Sequence, residues 1–169
     1  SYFEPVSNST WPYGQANTQS TALTGAVTGT KTKILGTNNY TYSISYYDAK
    51  GRVIQTKATN ITGGTDVSTT QYTWAGQPLV TVLKQDRQGS NAQNTTIVSR
   101  NIYDDLGRLS RVEKKISNTL VNGGAMTAYK ATLTNEYDKL GQLKVKNLSP
   151  DQSTDGPLEK EKYDYNIRG

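Results

Sequence analysis

The chain has 169 residues and a net charge of +5, with 33% hydrophobic residues, one Phe, one Met and 12 Tyr, and a mean hydropathy of -0.71. Cys and His are both absent, which excludes disulfides, thiolate chemistry, histidine metal ligands and any Ser-His-Asp nucleophile within the chain. So polar a composition cannot fill a thick core, yet its Tyr, Thr and Val favour strands over disorder, and the expected fold is an extended all-β sheet with wet faces.

In chain order, residues 1–39 read as an irregular lead-in. Trp11–Thr30, "WPYGQANTQSTALTGAVTGT", is small, polar and Gly-rich, and a short strand is expected only at 31–35. No charged-then-apolar leader opens the chain, and no apolar run is long enough to cross a bilayer. From Tyr40 to residue 169 the chain becomes a β-sheet of recurring anchors. Tyr40–Tyr47, "YTYSISYY", alternates so that Tyr40, Tyr42, Ile44 and Tyr46 share one face of a strand.

The first anchor is Tyr47-Asp48-Ala49-Lys50-Gly51-Arg52-Val53, and Tyr-x-x-x-Gly then returns at Tyr72–Gly76, Tyr103–Gly107, Tyr137–Gly141 and Tyr165–Gly169. The steps from Tyr to Tyr are 25, 31, 34 and 28 residues, so this is not a solenoid of fixed period. Between anchors lie polar, turn-rich loops at Asn60–Thr65, Lys84–Asn94, Ser117–Met126 and Ser149–Pro157. Anchors and loops therefore alternate as the two margins of an antiparallel meander, with fixed turns at one edge and variable loops at the other.

The anchor's residue types suit a turn. A type I turn favours Asp or Asn at its first position and Gly at its fourth, and a left-handed residue after it makes a bulged three-residue hairpin loop. That register sets Asp48 opposite Arg52 and Asp104 opposite Arg108 as cross-strand ion pairs. Tyr47, Tyr103 and Tyr137 fall opposite Val53, Leu109 and Leu143 on the other face. Carried further back, it sets Glu136 opposite Lys144 and Asn135 opposite Val145. "YTWAGQP" (Tyr72–Pro78) replaces Asp by Thr73 and Arg by Gln77 and sets Pro78 against Tyr72, so it is expected to be the least regular turn.

Y-D-x-x-G-R-[VL], recurring at variable spacing in a Tyr- and Thr-rich chain, resembles the YD repeats of Rhs-type proteins, whose animal relatives include the teneurins. "YDAKGRV", "YDDLGRL" and "YDKLGQL" are good matches and "YTWAGQP" and "YNIRG" degenerate ones; together they span about three quarters of the chain. "YDYNIRG" at the close resembles the segment just upstream of the Rhs core in bacteria with type IX secretion. The resemblance implies a long curved meander, part of a β-sheet shell that spirals around a C-terminal toxin or presents an adhesive surface. It implies a secreted or bacterial cell-surface location, and partners among the rest of the shell, another subunit through sheet edges, or an enclosed toxin domain. No catalytic residue carries over, because the self-cleaving core region has no counterpart here.

Other chemistry has weak support. Asp48, Asp104, Asp105 and Asp138 sit where turn geometry already asks for Asp, which disfavours a glycosidase carboxylate pair. Asp104-Asp105 lacks the alternating oxygen ligands of a calcium loop. The basic residues are scattered, unlike a nucleic-acid face. Asn8, Asn39, Asn60 and Asn94 begin N-glycosylation patterns. Trp11 and Trp74, with Tyr40, Tyr42 and Tyr46, could stack on sugars of cell-surface glycans, which is the alternative reading. No cofactor, metal or enzymatic activity is expected.

Overall fold

The computed structural model describes residues 17–151 and 156–166; Trp11, Asn8 and Gly169 lie outside them. Ten strands follow one another: β1 (Gly29–Lys33), β2 (Tyr40–Tyr47), β3 (Val53–Thr59), β4 (Thr65–Tyr72), β5 (Pro78–Arg87), β6 (Gln93–Tyr103), β7 (Leu109–Asn118), β8 (Lys130–Tyr137), β9 (Leu143–Leu148) and β10 (Glu159–Lys162). They form one antiparallel sheet in sequence order, an all-β meander, and the described residues contain no helix. The chain condenses into two compact units. One takes the residues up to Val98 with Ile116–Met126, and the other takes Ser99–Lys115 with the residues from Thr127 onward.

In the first unit the core is one face of β2–β5. Register stacks Tyr46 on Gln55, Gln55 on Thr69 and Thr69 on Val82, and sets Gln71 against Val80; all six are buried, half of them polar. Such a face is tolerable because its polar groups meet each other, as where Gln55 Nε2 donates to Thr69 Oγ1 at 2.8 Å. In the second unit Glu113 is buried between two guanidiniums. It accepts from Arg100 Nε and, at 2.7 Å, from Arg111 Nε. Arg111 also reaches Asp151 at 3.2 Å, and Asp151 accepts the Ala131 N–H at 2.8 Å, which ties the β9–β10 loop to β7 and β8. Between β9 and β10 Lys146 pairs with Glu161 at 3.1 Å.

Several local expectations need correction. β1 occupies Gly29–Lys33 rather than 31–35, because Ile34 to Thr37 close the β1–β2 turn through a Thr37 N–H to Ile34 O bond of 3.2 Å, with Gly36 at φ +76°. Tyr47 does oppose Val53, Tyr72 opposes Pro78 and Tyr137 opposes Leu143. Behind each pair, however, the register slips by one. Glu136 faces Val145 rather than Lys144, and Asn135 faces Lys146 rather than Val145. Ile54 and Leu79 are extra residues in the same place, between Val53 and Gln55 and between Pro78 and Val80. These three hairpins thus carry a second bulge just inside the turn, which lets adjacent residues such as Ile54 and Gln55 both be buried.

Candidate functional site

The anchors occupy one margin of the sheet, at the β2–β3, β4–β5, β6–β7 and β8–β9 turns. In the Asp48 turn the Asp does three jobs. Asp48 N–H donates to Arg52 O at 2.9 Å, and the Gly51 N–H closes on Asp48 O at 3.0 Å. Asp48 Oδ1 accepts the N–H groups of Lys50 and Arg52, each at 2.9 Å, while Oδ2 holds the Arg52 guanidinium at 2.6 Å. Asp104 repeats this with Leu106, Arg108 and Gly107, its ion pair to Arg108 measuring 2.7 Å. Asp138 caps Leu140 and Gln142 at 2.8 Å each. Gly51 lies at φ +74° with open space around it, so the glycine serves backbone conformation and not fit.

The carboxylates are tuned by the turn itself. Burial alone would raise the Asp48 pKa, but the Arg52 guanidinium and the N–H groups of Arg52 and Lys50 outweigh it, and the net shift is down. Asp104 is held below the ordinary range chiefly by the Arg108 N–H, with the Arg108 side chain and Leu106 N–H adding to it. Both oxygens of both groups are therefore committed to structure. Among the described residues no three carboxylates converge on a point where a metal could sit.

The Thr73 turn, expected to be the least regular, has the same geometry as the others. Thr73 N–H bonds Gln77 O at 2.8 Å, Gly76 closes on Thr73 O at 3.0 Å, and Thr73 Oγ1 accepts the Gln77 N–H at 3.0 Å. A threonine hydroxyl therefore replaces one Asp oxygen, and Pro78 does no damage because it sits at a pair beside the bulge.

The Tyr and Arg of the motif work between turns. Tyr72 Oη donates to Val53 O at 2.9 Å, Tyr137 Oη to Leu109 O at 2.8 Å and Tyr165 Oη to Leu143 O at 2.8 Å. In each case the acceptor belongs to the valine or leucine that ends the preceding anchor. Those carbonyls lie just beyond a ladder's last pair: Gln55↔Thr69, Arg111↔Thr134 and Lys162↔Val145 are the nearest. The tyrosine hydroxyl supplies a donor to each of them. Burial raises the Tyr72 phenol, with Arg52 opposing and Asp48 assisting, so it remains a donor.

Arginine reaches the other way along the margin. Arg52 stacks 4.8 Å from the Tyr72 ring centre and donates Nη1 to Thr73 O at 3.0 Å, and Arg108 stacks 4.4 Å from Tyr137. Lys50 adds a bond to Trp74 O at 3.1 Å with its ammonium 3.5 Å from the indole.

Two further turns lie outside the five anchors. In the lead-in, Ser20 Oγ accepts the Ala22 N–H at 3.1 Å, Gly25 sits at φ +80°, and Val27 O accepts Tyr47 Oη at 2.7 Å. The turn before Val27 is built differently from the Asp48 turn, because Ala26 N–H closes on Leu23 O at 3.0 Å and so places Gly25 third rather than fourth. At the opposite margin the Asn60 loop is an Asn-x-x-Gly copy of the Asp48 turn: Asn60 Oδ1 accepts from Thr62 and Gly64, and Asn60 N–H bonds Gly64 O at 3.0 Å.

The candidate sugar-stacking residues divide. Tyr46 is only 6% exposed and belongs to the core, so it offers no ring to a ligand. Trp74 is 89% exposed, and Tyr40 and Tyr42 are partly exposed. A lysine already covers one face of Trp74, and Lys31 lies 4.0 Å from Tyr40 and 5.7 Å from Tyr42. Asn60 spends its side chain on the turn, with Nδ2 donating to Asp86 O at 2.7 Å. Comparison with known protein families and with curated proteins finds no match for this chain.

Proposed function

We propose that this chain is a non-enzymatic structural segment of a secreted or cell-surface Rhs-type β-shell, whose sheet encloses or displays an effector domain. The observation that carries the reading is the stitching of one turn to the next. Tyr72, Tyr137 and Tyr165 each donate to the carbonyl of the preceding anchor, so the motif is a device for adding turns to a margin. Asp48 and Asp104 spend both carboxylate oxygens within their own turns, which supports a structural rather than a catalytic role for them. The outer strands β1 and β10, which among the described residues have no second neighbour, fit a sheet that is continued by further strands of a larger assembly.

The test is electron microscopy of the polypeptide purified from its source, with protease challenge before and after disruption. A hollow β-walled particle protecting an internal domain is expected. A compact monomer protecting nothing, or a hydrolytic activity abolished by Asp48→Asn or Asp104→Asn in a folded protein, would overturn the reading.

A further inference from the structure

Among the described residues β1 and β10 each have a strand neighbour on one side only, and the hydrogen-bond phase identifies the backbone groups that face outward. In an antiparallel ladder, bonded and non-bonded pairs alternate. Ile34 N–H donates to Asn39 O at 2.9 Å and Ser45 N–H to Thr28 O at 3.0 Å, with Gly29↔Ile44 to Lys33↔Tyr40 paired between them. Thr30 and Thr32 therefore turn their N–H and C=O toward β2, while Gly29, Lys31 and Lys33 turn theirs outward. On β10, Tyr163 N–H bonds Lys144 O at 3.0 Å and Glu161 pairs with Lys146. By the same phase Glu159 and Glu161 face β9, and Lys160 and Lys162 face outward.

An added antiparallel strand must set its own outward-bonding residues opposite these. In the registers of fullest overlap, β10 of a second copy brings Lys160 or Lys162 against Lys31 and Lys33, and β1 of a second copy brings lysine against lysine again. Like charges directly opposed are unfavourable, and lysine on an edge is a known block to self-pairing. A second copy is thereby disfavoured as the antiparallel occupant. β1 itself is exposed along its whole length, carries no acid, and shares its lysine face with Tyr40 and Tyr42. β10, by contrast, alternates Lys with Glu.

We propose that the β1 edge is a docking site for an extended acidic strand of another polypeptide, with Asp or Glu at alternate positions. The strand adds antiparallel to β1, bonds Gly29, Lys31 and Lys33 through its main chain, and sets its carboxylates opposite the two lysines. The inference rests on the open-edge part of the proposed function and stands without the shell.

The probe is a fluorescein-labelled peptide of alternating glutamate and valine, read by anisotropy. Saturable binding is expected, with amide-exchange protection at Lys31 and Lys33. K31E/K33E should weaken it about tenfold or more and should instead bind a lysine–valine peptide, and K31M/K33M should bind neither peptide well. K31E/K33E, no longer blocked against Lys160 and Lys162, should also self-associate with rising concentration in sedimentation, where the parent does not use this edge. The same acidic peptide with alternate amides N-methylated keeps its charge but not its donors, and should fail to bind. Equal binding of the methylated peptide, indifference to K31E/K33E, or no saturable binding by the parent would each overturn the proposal. None of these outcomes depends on whether a hollow particle is seen.

Discussion

Replacing Tyr72 by Phe removes one hydroxyl and leaves the ring on which Arg52 stacks. Val53 O then loses the 2.9 Å bond from Tyr72 Oη, and the ladder of β3 with β4 begins only at Gln55↔Thr69. The carbonyl is half-buried, so water replaces part of the bond, and a cost of about 1–2 kcal/mol is expected. Tyr137→Phe makes the same chemical change in the other unit, but there Leu109 O keeps a 3.0 Å bond from Asn135 Nδ2. Its cost should be smaller, about 0.5–1 kcal/mol. Urea unfolding followed by circular dichroism and by tryptophan emission measures both, Trp74 reporting beside Tyr72. Equal losses in the two variants, or a parent-like midpoint for Tyr72→Phe, would refute the claim that these hydroxyls matter as donors to those carbonyls.

Gly51→Val and Gly107→Val, at φ +74° and +76°, should each lose about 1–3 kcal/mol from forcing a β-branched residue into the left-handed region; parent-like stability would contradict the bulged turn. Gly64→Ala should destabilise for a different reason, since its Cβ would lie 1.8 Å from Asp86 O. Backbone must move, at about 1–3 kcal/mol, and a crystal structure of a fully stable variant with unmoved Asp86 would disprove it. Asp48 and Asp104 titrate below their ordinary range in the folded chain, so the unfolded chain binds more protons over that window and stability rises with pH there. Their contribution is complete above the unfolded carboxylate value of about 3.9 and fades as pH falls through the depressed folded values. Asp48→Asn with Asp104→Asn should flatten that limb of an acid-unfolding curve, and an unchanged slope would count against the capping role.

What could be read from the residues was what five consecutive residues decide. Asp48 to Arg52 bond among themselves, so the turn, its glycine and the Tyr47–Val53 pair follow from local chemistry. The tyrosine bonds join residues 19, 28 and 22 apart in sequence across loops of different length, and no local pattern states which carbonyl each hydroxyl will reach. The second bulge was hidden for a related reason. Ile54, Leu79 and Lys144 are ordinary strand residues, and only the slip of register behind them marks them as extra. Tyr46 looked like a surface aromatic because alternation groups it with Tyr40 and Tyr42. Its burial comes from Gln55 beside it in register and from the strands beyond, whereas Tyr40 and Tyr42 lie next to the edge strand. Gly64 gives no conformational sign at all; a neighbouring strand's backbone requires it.

The two margins solve the same problem in different ways, and this accounts for a recurring motif without a fixed period. At the anchor margin Tyr72, Tyr137 and Tyr165 reach back to the preceding turn, and Arg52 and Arg108 reach forward to the next. Arg52 and Tyr72 therefore join one pair of turns twice, while Gln142 leaves Tyr165 with the hydroxyl bond alone. Such links work only if successive turns have the same shape, which holds Asp, Gly, Tyr and Arg to their places. At the loop margin the links are individual. Asn60 Nδ2 bonds Asp86 O at 2.7 Å, Gln88 N–H bonds Thr62 Oγ1 at 3.0 Å, and Asn118 Nδ2 reaches Gln93 and Thr95 at 2.7 and 2.8 Å. Each suits one loop and makes no demand on the next, so loop length can drift while the anchors stay constant. A turn held by its neighbours has little stability alone, and a chain built this way gains by continuing. That is the physical ground for reading the motif as a means of extending a sheet.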